Sequence, residues 1–273
     1  MEPQTQDFCK ESVLWMHTSH PNVLELIAVD IDPQTRTFSM ISELMVNGNI
    51  MEYIHVREAN RIRLLEDVTR GLRYLHKCGI VHGDLKGTNI LVKNGATPRA
   101  CISHFGFSTL APTTSFVASA SVDECKGAWS HMAPELLHPE KFGLRGGRVS
   151  KQADIYAFGM VVYEVLTGHF PFGGEGRPQA EVISRVINGE RPSKPKKAGG
   201  IGFGRGTWEL VRRCWKEDRG ERPTVEEIFK HFQHVAGSST VLAPGSTTLA
   251  HEAERPTAFE PDSGFRDFGQ YLL

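Results

Sequence analysis

The residues best suited to chemistry lie within one short segment, residues 81–92, whose sequence is VHGDLKGTNILV. The segment combines a carboxylate at Asp84, an ammonium group at Lys86 and an amide at Asn89. In phosphoryl transfer the protein mainly positions groups and compensates charge. Asp84 can accept the proton of an attacking hydroxyl, Lys86 can face the transferred phosphate, and Asn89 can offer its carbonyl oxygen to Mg²⁺. This spacing therefore favours a site that handles a phosphoryl group.

An amphipathic helix and an apolar run flank this segment and must position it. Apolar residues recur at steps of three and four over residues 61–76, which predicts a helix with one buried face. The helix leads directly into the segment, and the apolar residues after Asn89 continue the chain into the interior. The stripe residues are Leu65, Val68, Leu72 and Leu75. We therefore expect Asp84 to lie on a loop with a rigid support.

The remaining pattern predicts one hairpin followed by several helices. A helix is predicted over 8–17, and strand-like runs over 23–31 and 37–45 are joined by turn residues at Asp32-Pro33-Gln34. The segment 47–49, Asn-Gly-Asn, breaks the pattern after the hairpin. A fold with one hairpin and many helices is α+β, with helices dominating. Later helices are predicted after a cap at Ser150, over 179–188, around 208–215, and over 225–234 with Thr224 and Glu227 as a capping box.

Composition and charge exclude several classes of protein. The chain has 273 residues, 40% of them hydrophobic, and a formal net charge of −1, so nothing in it indicates a nucleic-acid partner. No apolar run is long enough for a membrane span. The five cysteines are scattered and contain no Cys-x-x-Cys pair, which is typical of reduced thiols in a cytoplasmic protein. A globular cytoplasmic protein is the expectation.

The segment around Asp84 resembles the catalytic loop of protein kinases, His-x-Asp-Leu-x-x-x-Asn, with Gly83 where an arginine often lies. Lys86 is similar to the lysine of the serine/threonine class. Cys214-Trp215 followed by Arg222-Pro223-Thr224 is similar to the pattern of the tyrosine-kinase-like branch. The resemblance implies an α+β protein-kinase-like domain over 1–236. Residues 1–46 would form a partial amino-terminal lobe and 47–236 the helical lobe. Further segments that match are His20-Pro21-Asn22, Ala133-Pro134-Glu135, residues 154–159, Cys214-Trp215 and Arg222-Pro223-Thr224.

The resemblance also implies cofactors and their ligands. Glu43-Leu44-Met45 is similar to the hinge that binds adenine, Ser42 to the residue before it, and Leu91 to the apolar side chain under the adenine ring. ATP and Mg²⁺ are the implied cofactors, with Asn89 as a weak metal ligand. Asp84 and Lys86 are the implied catalytic residues.

Outside the active site, the resemblance implies a buried ion pair and the composition predicts a disordered tail. The family's glutamate and arginine that match Glu135 and Arg222 form a buried ion pair. The tail, residues 237–273, is rich in Gly, Ser, Thr, Pro and charge, and its composition predicts disorder.

The principal departure from the family pattern is His104, which precedes Phe105-Gly106 where the family has an aspartate that chelates Mg²⁺. Magnesium prefers hard oxygen ligands, whereas imidazole suits zinc, copper or iron. A zinc role for His104 has no Cys/His cluster to support it in the sequence. The sequence therefore predicts that the principal metal ligand is lost.

Other departures affect the ATP clamp and the substrate-binding segment. Glu11 lies where the family has a helix glutamate, but no strand lysine or Gly-rich strand precedes Phe8, so we expect Glu11 to be solvated. Gly83 removes a cation that would pair with a phosphorylated loop. The predicted mobile loop 108–125 ends near Gly127-Ala128 and Ser130-His131, which also differ from the family. The Gly-rich run 199–206 is interpreted as a flexible connector.

These features favour an impaired or inactive protein-kinase-like domain, a pseudokinase that acts as a binding or scaffold module for protein partners. One alternative is an active serine/threonine kinase that acts on protein substrates with Asp84 as base. Another is a truncated gene product that folds poorly, because a partial lobe would leave a sheet edge uncovered. The sequence leaves the oligomeric state open.

Overall fold

The first part of the fold is a helix packed on a two-stranded sheet. In the computed structural model, α1 spans Pro3–Met16, and β1 (Leu26–Ile31) pairs antiparallel with β2 (Phe38–Ser42). The rings of Phe8 and Phe38 lie 4.9 Å apart and join helix to sheet. The predicted helix and hairpin are therefore both present. The structure describes residues 3–32, 34–35, 37–110, 129–173, 177–195 and 202–239.

Two isoleucines of this sheet are exposed. Ile27 is 63% exposed and Ile41 is 45% exposed. Among the described residues, no strand pairs with the outer edge of β1 or of β2. The hairpin therefore relies on α1 and on its own two strands for cover.

Two long helices form the centre of the helical region. The first, α3, spans Arg61–Lys77, and its predicted apolar stripe is fully buried. The second, α5, spans Lys151–Thr167 and begins at Ser150, whose hydroxyl accepts a hydrogen bond from the Ala153 N–H at 3.1 Å. Most residues of α5 are buried on every side, which makes it the core helix. The sequence predicts both helices and the Ser150 cap correctly.

One short helix is absent from the sequence prediction. Asn49 caps α2 (Ile50–Val56) by accepting hydrogen bonds from the Met51 and Glu52 backbone N–H groups. The Glu52 side chain in turn accepts from the Asn49 N–H, which completes a capping box. With two turns at most, α2 is too short for a helical period to stand out. The segment 47–49 thus starts a helix, whereas β2 ends earlier, at Ser42.

The other elements surround these two helices. The Thr224 N–H donates to the Glu227 carboxylate at 2.8 Å, and the Glu227 N–H donates to the Thr224 hydroxyl at 3.3 Å, as the capping box predicts. The sheet pairs are β3 (Ile80–Val81) with β6 (Thr109–Leu110) and β4 (Ile90–Lys93) with β5 (Arg99–Ile102). The remaining helices are α4 (Pro134–Leu137), α6 (Gln179–Ile187), α7 (Arg205–Cys214) and α8 (Val225–Ser239).

Two predicted boundaries need correction. Phe203 is buried and Gly202 lies against Ile62, so this end of the predicted flexible connector is anchored in the core. Helix α8 continues to Ser239, past the predicted start of the tail at residue 237. The rest of the tail, most of the predicted mobile loop 108–125, Gly127-Ala128 and residues 199–201 lie outside the described residues.

The cysteines and helix lengths agree with the sequence expectations as far as the structure describes them. Cys9, Cys78, Cys101 and Cys214 are free thiols, and Cys125 lies outside the described residues. Burial raises the pKa of Cys101 to about 11 and that of Cys214 to about 12, which keeps both protonated.

Within the described ranges, no helix has the length and apolar content that crossing a membrane would require.

A buried ion pair connects three parts of the helical region. Arg222 Nη1 and Nη2 donate to the two carboxylate oxygens of Glu135 at 2.6 and 2.7 Å. The Arg222 side chain is fully buried, and it also donates to the carbonyls of Gln152 and Lys216. The pair therefore joins α4 to the start of α5 and to the segment before α8. The ion pair that the resemblance implies is present.

Arg222→Met should destabilise the protein by about 3–5 kcal/mol, because it leaves the Glu135 carboxylate buried without a partner. The measurement is the free energy of unfolding in urea. Arg177→Met is the matched control, since Arg177 pairs with Glu181 on the surface and an exposed pair contributes only about 0–1 kcal/mol. Similar losses in the two variants would contradict the structural role given to the buried pair.

Candidate active site

The loop that carries Asp84 is anchored to α5 by the carboxylate of Asp154. Asp154 Oδ2 accepts from the His82 N–H at 2.9 Å, and Oδ1 accepts from the Gly83 N–H at 2.9 Å. His76 Nε2 lies 2.8 Å from the same Oδ2. Asp154 is 1% exposed, so these bonds form out of contact with water. The start of the loop therefore cannot move independently of the core helix.

His82 is fully buried and links the loop to the strand beyond it. Its Nε2 lies 3.0 Å from the Ser103 carbonyl oxygen, and its Nδ1 lies 3.3 Å from the Asp84 backbone N–H. Nε2 must then donate and Nδ1 must accept, which is the arrangement of a neutral imidazole. Burial lowers the pKa of His82 below its ordinary value, although Asp154 and Asp84 oppose this. His82 is therefore a neutral structural support of the loop.

Asp84, Lys86 and Asn89 converge as the sequence predicts. Lys86 Nζ lies 2.9 Å from Asp84 Oδ2, and Asn89 Nδ2 donates to the same oxygen at 2.7 Å. Asn89 Nδ2 also donates to the Asp84 backbone carbonyl at 2.8 Å. Because both side chains use Oδ2, Asp84 Oδ1 is the oxygen left to accept a hydroxyl proton among the described contacts. The cluster holds a base, a cation and an amide within hydrogen-bonding distance.

A second anchor fixes the turn that carries Asn89. The Gly87 N–H donates to Glu164 Oε2 at 2.9 Å, and His131 Nε2 lies 2.9 Å from the same oxygen. Glu164 and His131 are both buried. The His131 contact lacks hydrogen-bond alignment, so it is a close approach and not a hydrogen bond. His131 therefore packs against the helix residue that holds the loop.

Sequence reasoning misses the anchoring role of both acidic residues of α5. The available signal was the presence of Asp154 and Glu164 in a helix that is otherwise almost entirely apolar. A buried carboxylate is costly unless hydrogen bonds satisfy it, so each of them implies donors nearby. The contacts that Asp154 and Glu164 make with the loop are to its backbone, and not to the side chains of Asp84, Lys86 or Asn89. Both act by holding backbone N–H groups of residues 82–87.

Gly83 lacks the cation that the family often has at this position, and its lack of a side chain also has a steric role. Its φ is +84°, a value that residues with a side chain rarely adopt. A Cβ at this position would lie 2.7 Å from the Phe107 carbonyl oxygen and 3.2 Å from Val149 Cγ1. Glycine at position 83 therefore permits the close approach of the segment around Phe107 to the loop.

His104 lies beside the Asn89 turn but is exposed. The Ser103 N–H and hydroxyl both donate to the Asn89 carbonyl, at 2.9 and 3.0 Å, which places residue 104 next to the cluster. His104 itself has a φ of +67°, the left-handed region that non-glycine residues seldom occupy. The backbone at this position is thus held in an unusual conformation although an imidazole has replaced the family's carboxylate.

The expectation that Glu11 is solvated is wrong. Its side chain is half-buried, and Oε1 accepts a hydrogen bond from the Phe105 N–H at 3.2 Å. Burial raises the pKa of Glu11, partly offset by nearby His104 and by the Phe105 N–H. The cause is the packing of α1 against this segment, where the rings of Trp15 and Phe105 stack 5.7 Å apart. Glu11 therefore contacts the segment around Phe105.

The residues at this site do not fit Mg²⁺ in the manner that the resemblance implies. Magnesium requires hard oxygen ligands in near-ideal octahedral geometry. Asn89 and Asp84 offer oxygens, but the adjacent position is an imidazole at His104. Across the ranges that the structure describes, no group of three or more His, Cys, Asp or Glu side chains could hold a metal ion. A zinc role for His104 therefore gains no support.

The residues predicted to bind adenine are only partly grouped. Leu91 pairs with Asn49, and the Val92 N–H donates to the Gly48 carbonyl at 3.0 Å, so the segment after β2 lies along β4. The Glu43 carboxylate forms an ion pair with Lys93. Glu43 and Met45 line a cavity of about 270 Å³, and neither Ser42, at the end of β2, nor Leu91 lines it. The adenine assignments of Ser42, Glu43, Met45 and Leu91 stay predictions.

Comparison with known proteins gives a consistent set of similarities. A family model described as protein tyrosine and serine/threonine kinase matches residues 1–232. The chain is 30% identical to the serine/threonine/tyrosine-protein kinase HT1 of Arabidopsis thaliana, over 82% of this chain and 53% of that protein. It is 26% identical to the Arabidopsis thaliana serine/threonine-protein kinase STY46, over 85% of this chain and 37% of that protein.

A viral relative shows a similar degree of likeness. The chain is 28% identical to the tyrosine-protein kinase transforming protein Abl of Abelson murine leukemia virus, over 87% of this chain and 30% of that protein. The chain thus spans about half, or less, of the length of these relatives.

Gly83→Ala should destabilise the protein more than Gly189→Ala does, by about 1–3 kcal/mol, because of the contact with the Phe107 carbonyl. Gly189 is a matched control, since its φ is +82° but a Cβ there would meet nothing within 4 Å. Both variants share the left-handed backbone penalty of about 1–2 kcal/mol. The measurement is the free energy of unfolding in urea. Equal losses would show that the close approach at Gly83 is not a constraint.

His82→Asn should reduce the loss of stability in acid. Below the ordinary histidine pKa of 6.5, the unfolded chain binds a proton at residue 82 that the folded chain does not, because the folded pKa is lowered. Stability from this group is therefore complete above pH 6.5 and decreases as pH falls toward the lowered folded pKa. Urea unfolding at several values between about pH 7 and pH 5 measures the slope for each protein. A variant slope as steep as that of the parent would contradict the neutral, buried state of His82.

Proposed function

We propose that this chain, which belongs to the protein tyrosine and serine/threonine kinase family and to its tyrosine-kinase-like branch, is a pseudokinase. In this proposal it acts in signalling as a binding or scaffold module. It transfers phosphate poorly or not at all. The proposal places it in the cytoplasm, with proteins as its partners.

The observation that carries the proposal is the imidazole of His104 beside Asn89. A carboxylate at this position would supply a hard, charged oxygen to a metal, and an imidazole does not. His104 is exposed and has a left-handed φ of +67°. The backbone at this point has a conformation that non-glycine residues seldom adopt, and its side chain does not suit magnesium.

Contacts within the protein hold the loop in place. Asp154 and Glu164 fix its backbone from α5, and Lys86 and Asn89 both contact Oδ2 of Asp84. Buried polar groups that are fully satisfied make a local structure rigid. Such a loop can serve as a fixed part of a binding surface without undergoing a catalytic cycle, and this supports the scaffold proposal.

The alternative is an active serine/threonine kinase, and the geometry of the loop cluster favours it. In this alternative Asp84 Oδ1 accepts the proton of a substrate hydroxyl while Oδ2 stays bound to Lys86 and Asn89. Lys86 would neutralise charge on the phosphoryl group transferred from ATP. This assignment of roles follows the chemistry of the three side chains. The metal position remains its weak point because of His104.

Incubation of the purified protein with Mg²⁺-ATP and a mixed set of Ser/Thr peptides tests the proposal. We expect phosphate transfer no greater than that of Asp84→Asn, which removes the candidate base. Transfer by the parent at about 100-fold or more above Asp84→Asn would overturn the pseudokinase proposal and favour the active kinase.

His104→Asp tests the reason given for inactivity. We expect this variant to show Mg²⁺-dependent stabilisation by ATP in thermal unfolding that the parent lacks, because a hard oxygen is restored. His104→Asn is the control, since it shortens the side chain without restoring a charge. If His104→Asp and His104→Asn behave alike, the metal position is not what limits this site.

A further inference from the structure

A cavity of about 410 Å³ lies between the end of α6, helix α7 and the turn that follows α7. Gly159 of α5 packs against Trp215, which lines this cavity. Gly159 follows Asp154 by five residues, which turns it about 140° around the helix axis. The cavity is therefore on a different side of α5 from the loop that carries Asp84, and it shares no lining residue with that loop.

The cavity has an aromatic wall. The rings of Trp208 and Trp215 lie 5.9 Å apart at 86°, an edge-to-face contact, and Phe203 packs 5.5 Å from Trp208. Trp215 and Phe203 are buried, whereas Trp208 is half-buried. Part of the Trp208 indole is thus available to a ligand and is held rigidly by the rings behind it. A large apolar side chain would pack favourably on this surface.

The charged residues around the aromatic wall are mostly basic. Four cations and two carboxylates, Glu209 and Glu217, line the cavity. Arg212 contacts Glu209 at 3.4 Å, but both side chains are more than 60% exposed, so that pair contributes little. Arg212 can therefore exchange its partner at small cost. The cations are Arg191, Arg212, Arg213 and Lys216.

The arrangement favours carboxylates over a phosphate group. Arg213 is paired with Glu227, outside the cavity lining, and Arg191 donates to backbone carbonyls. Lys216 contacts Glu221 at 3.0 Å, but both side chains are more than half exposed, so Lys216 can exchange its partner at small cost. A phosphate is held best by several unpaired guanidinium groups that converge on it. Single carboxylates spaced along an extended chain need only one cation each. The two acidic residues in the lining also disfavour a densely charged polyanion such as a nucleic acid.

We propose that this cavity binds an acidic peptide segment of a protein partner, with one large apolar residue on the Trp208 indole and Asp or Glu residues facing Arg212 and Lys216. Trp and Arg are the residue types most enriched where binding energy concentrates in protein interfaces. The site is independent of phosphate transfer, because it contains no residue of the loop cluster. It gives the chain a protein-binding site whether or not it is a kinase.

A fluorescein-labelled short peptide with one Phe flanked on both sides by Glu serves as the probe, and fluorescence anisotropy with the full chain measures its dissociation constant. We expect Arg212→Glu to weaken binding by about tenfold or more, because it reverses the charge that faces the peptide. Arg177→Glu is the matched control, since Arg177 also forms an ion pair with a Glu on the surface of a helix, and lies outside the cavity. Binding to the control should match the parent within about twofold.

Further measurements separate this site from non-specific attraction. With the protein labelled with ¹⁵N at tryptophan, the acidic peptide should shift the indole N–H signal of Trp208 and leave that of Trp15 unchanged. A peptide with Gln in place of Glu should bind at least about tenfold more weakly.

Three outcomes would overturn the proposal. The first is the absence of binding up to roughly 1 mM peptide. The second is equal weakening by Arg212→Glu and Arg177→Glu. The third is binding of a phosphoserine peptide without binding of the Glu peptide, which would assign the site to phosphate instead.

Discussion

The carboxylate of Asp154 is the constraint on which the candidate site depends. It lies at the start of the most buried helix and accepts hydrogen bonds from two successive backbone N–H groups of the loop. A carboxylate buried to this extent is stable only if donors surround it, and the loop supplies those donors. The helix and the loop therefore specify each other. The positions of Asp84, Lys86 and Asn89 follow from this mutual requirement, and Glu164 repeats it farther along the same helix.

The sequence predicts the fold class, the long helices and the loop cluster because each has a strong local signal. The stripe of α3 and the Ser150 cap depend on residues close together in the chain, and so does the spacing of Asp84, Lys86 and Asn89. Helix α2 is missed because it is too short to show a period. The environment of Glu11 is missed for a different reason, since its partner is the Phe105 N–H, far away in sequence. Burial of Phe203 likewise depends on tertiary packing that no local pattern encodes.

The site combines an unusual backbone with side chains that differ from the family pattern. Position 104 has a left-handed conformation, Gly83 lies close to Phe107, and neither position has the side chain usual in the family. Backbone geometry of this kind depends on many packing contacts, whereas a metal ligand depends on one side chain. A change at His104 can therefore alter the chemistry without disturbing the loop. For that reason a well-formed loop is weak evidence for catalysis, and the identity of the residue at 104 is stronger evidence.

The two-stranded sheet has a consequence for the molecule in solution. Ile27 and Ile41 are exposed, and the described residues leave both outer edges of the hairpin without a paired strand. An isolated two-stranded hairpin is only marginally stable in water, so this one derives much of its persistence from α1. Local opening of such a hairpin exposes its backbone N–H groups, so we expect its amide hydrogens to exchange earlier than those of the buried helix α5. Opening of the hairpin would expose its apolar side chains, and the contact between the rings of Phe8 and Phe38 opposes it.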